Sequence, residues 1–140
     1  MRFLVLGAAL LAALLVAAGC TTPPPANPTV TPTAAQPAVY LVNDSGRTVP
    51  LGVGQGLTIR LPENPTTGYA WNASVTDGLL IVDSAYTPDP HPTNMVGVGG
   101  TRTWTVRGVR AGTQQFDAVY VRPFDPELPA GEFNLTVQVG

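Results

Sequence analysis

From Ala38 to Gly140 the apolar positions recur every second residue. Leu57, Ile59 and Leu61 are separated by Thr58 and Arg60, and Phe133, Leu135, Val137 and Val139 by Asn134, Thr136 and Gln138. Side chains of an extended chain point alternately to opposite faces, so each segment predicts a strand with one buried and one wet face. Tyr69–Val75, Leu79–Ala85, Thr101–Val109 and Thr113–Arg122 are rich in Val, Thr, Tyr, Trp or Phe and are punctuated by Gly and Pro, which predicts further strands. Val39–Val42 adds a short edge strand. No stretch carries an apolar stripe at helical spacing. About seven short strands in roughly 100 residues predict an all-β domain, an immunoglobulin-like antiparallel β-sandwich, with a small barrel as the alternative. With a single Cys there is no inter-sheet disulfide, so stability has to come from a buried core that includes Trp71, Trp104 and Phe116.

Residues 1–37 follow neither pattern. Met1-Arg2 is a short positive start, and Phe3 to Ala18 is apolar apart from Gly7, which predicts a signal peptide over residues 1–19. The apolar run is shorter than the ~20 residues a spanning helix needs. Val16-Ala17-Ala18-Gly19-Cys20 resembles a bacterial lipoprotein signal, although Ala17 stands where a large aliphatic residue is usual. That resemblance implies lipid on Cys20 and an exported protein anchored to the membrane of the bacterial cell envelope. Acyl chains contribute about 0.8 kcal/mol per buried CH₂, so two or more hold a protein where one does not. An ordinary secretory signal with an incidental Cys is the alternative. After the Cys, Thr21–Pro37 holds six Pro and five Thr with no aromatic or charged residue. Such a segment cannot bury a core, and residues 20–37 read as a lipidated Cys and an extended tether with a reach of about 50 Å. Residues 38–140 are the folded domain.

Charge and reactive residues narrow the function. Only 11% of the chain is charged, and its seven Arg are accompanied by no Lys and spread without a basic run, so nucleic acid is not a partner. One Cys and one His supply no thiolate cage or His-based metal site, and no metal or cofactor is called for. Ser45, Ser74 and Ser84 have only His91 to share as a base, so no catalytic residue is assigned.

The remaining signals sit in three connections. Asn64-Pro65-Thr66-Thr67-Gly68-Tyr69 follows the strand ending at Leu61. Pro65 fixes its own φ and restricts Asn64, Asn64 can bond neighbouring backbone, and Gly68 can take positive φ. The stiffened tip carries two hydroxyls and no charge, so a partner can bury it without desolvating an ion. By itself it could equally be a well-formed turn. Thr87–Gly100 ends in Gly97-Val98-Gly99-Gly100. A phosphate cradle needs glycines leading into a helix, whereas these lead into a strand; they permit close backbone approach to another chain, or simply a flexible hairpin, with His91 solvated. The third connection runs from Arg122-Pro123-Phe124 to Gly131, with Asp125 and Glu127 as solvated acids. Phe124 either folds back on the sandwich edge, which the local sequence slightly favours, or stands out as an interface residue.

Asn-Pro-Thr-Thr-Gly-Tyr, Gly-Val-Gly-Gly and Arg-Pro-Phe, in this order on a strand-rich domain, resemble the chagasin family of cysteine protease inhibitors (peptidase inhibitor family I42) over Val39 to Val139. The third motif departs from the commoner Arg-Pro-Trp. The resemblance implies reversible inhibition of papain-like cysteine peptidases by three loops laid across the active-site cleft. Asn64–Tyr69 would then be the central wedge, Gly97–Gly100 would lie along one side of the cleft, and Arg122–Phe124 would cover the other. The partner would be the peptidase, and the domain is expected to be a monomer. The competing expectation is a non-inhibitory binding or spacer module of a surface lipoprotein.

Overall fold

The computed structural model describes residues 36–140; the predicted signal segment, Cys20 and all but the last two residues of the predicted tether lie outside the described residues. Eight strands follow in order: β1 (Ala38–Leu41), β2 (Arg47–Leu51), β3 (Gly56–Glu63), β4 (Ala70–Val75), β5 (Leu79–Pro88), β6 (Gly100–Gly108), β7 (Gly112–Val121) and β8 (Gly131–Val139). They form two four-stranded sheets, β1-β3-β6-β5 and β2-β8-β7-β4. The domain is an all-β sandwich of the predicted class.

It has one strand beyond the seven read from the pattern. β2 was hidden by Pro50, which argues against a strand interior but is tolerated at a sheet edge, where β2 lies. Two of the four edge strands also break the antiparallel rule, since β1 runs parallel to β3 and β2 parallel to β8. The chain leaves one sheet after Leu41 and joins the other at Arg47, passing through a tight corner. Asp44 secures that corner: its carboxylate accepts from the Leu41 amide (2.8 Å) and pairs with Arg47, and these two partners hold its pKa below the usual value.

The core follows the alternation. Leu57, Ile59 and Leu61 of β3 are fully buried against Trp104, Val106, Phe116, Phe133, Leu135 and Val137. Trp104 meets Phe116 edge-on at 5.6 Å between ring centroids, and Phe116 meets Phe133 at 6.1 Å. Each such side chain contributes roughly 1.5–3 kcal/mol on burial. Trp71, also assigned to the core, packs against it from the margin. It is half-buried at the open end of the sandwich, where it stacks on Tyr120 at 4.9 Å.

Strand pairing brings the three connections to this same end. Glu63, the last residue of β3, pairs with Gly100, which pairs in turn with Pro88 at the end of β5. On the other sheet Ala70 pairs with Val121, and Tyr120 with Gly131. The β3–β4 connection therefore crosses between the sheets, flanked by the β5–β6 hairpin loop of one sheet and the β7–β8 loop of the other.

Candidate functional site

The β3–β4 connection is built on Asn64. Its backbone is extended (φ −130°), and its Oδ1 accepts from the Thr66 amide (3.2 Å) and the Thr66 hydroxyl (2.6 Å). This caps one 3₁₀ turn, Pro65–Thr67, with Pro at its start, where a missing N–H costs nothing. Gly68 closes the turn at φ 81°, a left-handed conformation that strains any residue with a Cβ, and donates its N–H to the Pro65 carbonyl at 3.0 Å. The Thr67 hydroxyl donates to the Asn64 carbonyl at 2.6 Å. Both threonine hydroxyl protons thus point into the loop, leaving acceptor capacity for a partner. Pro65 to Gly68 are exposed, and Tyr69 is half-buried.

Asn64 also ties the turn to its surroundings on both sheets. Its amide Nδ2 donates to the Gly97 carbonyl in the β5–β6 loop (3.2 Å), and its backbone N–H donates to the Tyr120 hydroxyl on β7 (2.8 Å). The Asn64 side chain therefore sets the turn and joins it to the β5–β6 loop, while its backbone N–H fixes it against β7.

Beneath it lies an ion pair that local pattern did not disclose. Glu63 is 3% exposed, and its carboxylate accepts from Arg102 Nη2 (2.7 Å), Arg102 Nε (3.1 Å) and the Trp71 amide (3.2 Å). Charge-assisted, two-pronged pairing of this kind satisfies a carboxylate that would otherwise be costly to bury. The Glu63 hydrogen bond, outweighing desolvation, raises the Arg102 pKa above its ordinary value. The only signal for Glu63 in the sequence is its parity: it continues the inward series Leu57, Ile59, Leu61.

The glycines of the second connection play unequal parts. Gly97 is exposed at φ 79°, and Val98 is half-buried. Gly99 faces its own chain, where a Cβ would lie 3.4 Å from the Glu63 carbonyl and 3.7 Å from Asn64 Cβ. Gly100 is buried in β6, and a Cβ there would collide with the Thr87 carbonyl at 2.3 Å. The close approaches made by Gly99 and Gly100 are internal ones. His91 is exposed, with its Nδ1 2.7 Å from the Asp89 carbonyl.

On the third connection, Arg122 lays its guanidinium over the Tyr69 ring at 4.4 Å and lies 6.0 Å from the centroid of Phe124. Its Nε is buried without a hydrogen-bond partner among the described residues, and stacking holds this side chain. Tyr69 packs on Tyr120 at 5.3 Å, which continues the stack to Trp71. Pro123 is exposed, and the Asp125 N–H closes a turn onto the Arg122 carbonyl at 2.9 Å. Phe124 does not fold back on the sandwich. It is 78% exposed, with its ring edge 3.9 Å from the position a Gly68 Cβ would take.

The three connections form one stiff edge with an uncharged turn at its centre. The serines lie elsewhere: the Ser45 hydroxyl accepts from the Asn134 amide at the inter-sheet corner, and Ser74 and Ser84 lie within β4 and β5. Such a surface is suited to recognition.

Comparison with known proteins gives the class a family. Residues 51–139 match the sequence profile of the chagasin family peptidase inhibitor I42. Chagasin of Trypanosoma cruzi is 34% identical over 86 residues, covering 57% of this chain and 76% of that protein. Amoebiasin-1 of Entamoeba histolytica is 31% identical over 97 residues, covering 69% of this chain and 94% of that protein. The crystal structure of the cysteine protease inhibitor EhICP2 from Entamoeba histolytica superposes with a TM-score of 0.67 at 25% identity, over 74% of this chain and 95% of that one. The chain belongs to the chagasin family of peptidase inhibitors.

Proposed function

We propose that the domain is a reversible, non-enzymatic inhibitor of papain-like cysteine peptidases that blocks the active-site cleft with its three-loop edge. The observation that carries this reading is the double tie of Asn64, which holds the Pro65–Thr67 turn against the β5–β6 loop and strand β7 before any partner arrives. Association then orders few groups, and more of the contact free energy survives as affinity. The uncharged turn enters the cleft, where Thr66 and Thr67 face the catalytic groups as acceptors. Covalent attack needs a carbonyl in near-attack geometry with a leaving group free to depart. A turn locked by internal hydrogen bonds and held at both ends by strands offers neither, so the peptidase is occupied without being acylated. Phe124 and Arg122 cover one side of the cleft and the Gly97–Val98 segment the other. Three loops suffice for an interface of about 1,600 Å².

The same proposal has Cys20 acylated and the domain carried as a monomer on the Pro/Thr tether at the cell envelope. Its support is the apolar leader, the sole Cys and the composition of Thr21–Pro37.

The test is titration of residues 36–140 against papain or a cathepsin L-like enzyme. Competitive, reversible inhibition with the domain recovered uncleaved supports the reading. A folded domain that leaves both enzymes active at micromolar concentration contradicts it. Thr66→Ala combined with Thr67→Ala weakens inhibition if the turn is the wedge.

A further inference from the structure

Just ahead of its glycines the second connection carries a short apolar tip. Met95 and Val96 are 54% and 93% exposed, and Val96 is the most exposed large apolar side chain among the described residues. Isolated exposed apolar residues are ordinary, but the backbone under these two is held. The Met95 N–H donates to the Pro92 carbonyl (3.0 Å), the Gly97 carbonyl accepts from Asn64, and the Asp89 N–H donates to the Gly99 carbonyl (3.0 Å). The left-handed Gly97 adjoins the wedge, its Cβ direction lying 4.0 Å from the Thr66 hydroxyl. On the opposite flank stand Phe124 and Leu128, 78% and 68% exposed. The edge is thus an uncharged turn between two apolar shoulders, one from each sheet.

We infer that Met95 and Val96 form a second apolar anchor, seated on an uncharged apolar patch beside the peptidase cleft, and that this pair sets which papain-like peptidases the domain prefers. The inference rests on the inhibitor reading and deepens it. Gly99 and Gly100 spend their close approaches on their own chain, so the outward contact of this loop falls to the side chains at its tip. Burial of apolar area is favourable wherever the facing surface is apolar. A charged group facing the tip would lose its water and find no partner, so a peptidase with such a group is disfavoured. The unbranched, polarisable Met side chain fits several apolar shapes but no ion.

The test compares inhibition constants of the full chain, Met95→Ser/Val96→Ser, Val96→Asp and Phe124→Ala across papain, a cathepsin L-like and a cathepsin B-like enzyme, with melting temperatures measured alongside. The double serine variant should lose at least tenfold on the best-inhibited enzyme and Val96→Asp more, by factors that differ between enzymes, with melting unchanged. If the unaltered chain inhibits and Phe124→Ala weakens it while the tip variants inhibit like the parent, or lose the same factor on every enzyme, the tip inference alone fails. If the unaltered chain inhibits none of them, the inhibitor reading falls and the inference falls with it.

Discussion

Replacing Arg102 by Met removes the cation paired with Glu63 at the root of the wedge. The Glu63 side chain is 0% exposed and the Arg102 side chain 25%, so the carboxylate would be left in the interior with the Trp71 amide as its one remaining donor among the described residues. Breaking a buried pair by removing one partner costs about 3–5 kcal/mol, and the partial exposure of Arg102 places this case near 3. For a domain of this size that lowers the melting temperature by about 12 °C or more. Replacing both partners by Met removes the stranded charge as well as its partner, so Glu63→Met/Arg102→Met should recover most of the loss. Urea and thermal unfolding of residues 36–140 for the parent, both single variants and the double variant measure these differences directly. An Arg102→Met domain within about 1 kcal/mol of the parent, or a double variant no more stable than Arg102→Met, would refute the assignment of this pair as the buried support of the loop.

How far the chain can be read without coordinates depends on the range of the interactions. The strands bearing Leu57, Ile59 and Leu61, or Phe133 to Val139, declare themselves because burial on one face writes a period of two into the sequence. The Asn64–Gly68 turn is local in the same sense: an Asn cap, a Pro start and a left-handed Gly lie within five residues. Glu63 was not legible because its partner, Arg102, is 39 residues away, and a charged residue at a strand end reads as the start of a loop. The strand at Arg47–Leu51 was masked by Pro50, whose cost depends on whether the strand is at an edge, which is a property of the sheet. Trp71 has inward parity but sits where the sheets open, so parity alone overstates its burial. The local sequence slightly favours a folded-back Phe124 for a comparable reason: what keeps it outward is the turn closed onto Arg122 and the bare face of Gly68, both of which need the neighbouring loop. Gly99 and Gly100 look free to meet a partner until the adjacent strands are in place.

Phe124→Ala should weaken peptidase inhibition by about 1–4 kcal/mol with little loss of stability, because the ring is already exposed in the free domain, and inhibition constants beside unfolding curves separate the two effects. Phe124→Trp should tighten inhibition by adding area and an indole donor; an inhibition constant that does not fall would remove this contact from the interface. Gly68→Ala has room for its Cβ but not the backbone conformation, so it should cost about 1–2 kcal/mol in unfolding free energy and weaken inhibition by distorting the turn. Cys20→Ser in the full chain should shift the protein from the membrane to the soluble fraction, and a variant that stays with the membranes would count against acylation.

The central claim is that three connections, distant in sequence, act as one preformed edge that seats in a peptidase cleft. Backbone hydrogen exchange of the domain, free and bound to papain, tests it segment by segment. The account predicts that binding slows exchange together in residues 66–69, 95–99 and 122–128 while the opposite pole around Val53 and Val109 is unchanged. Protection confined to one of the three segments, or centred on a sheet face or the far pole, would contradict it.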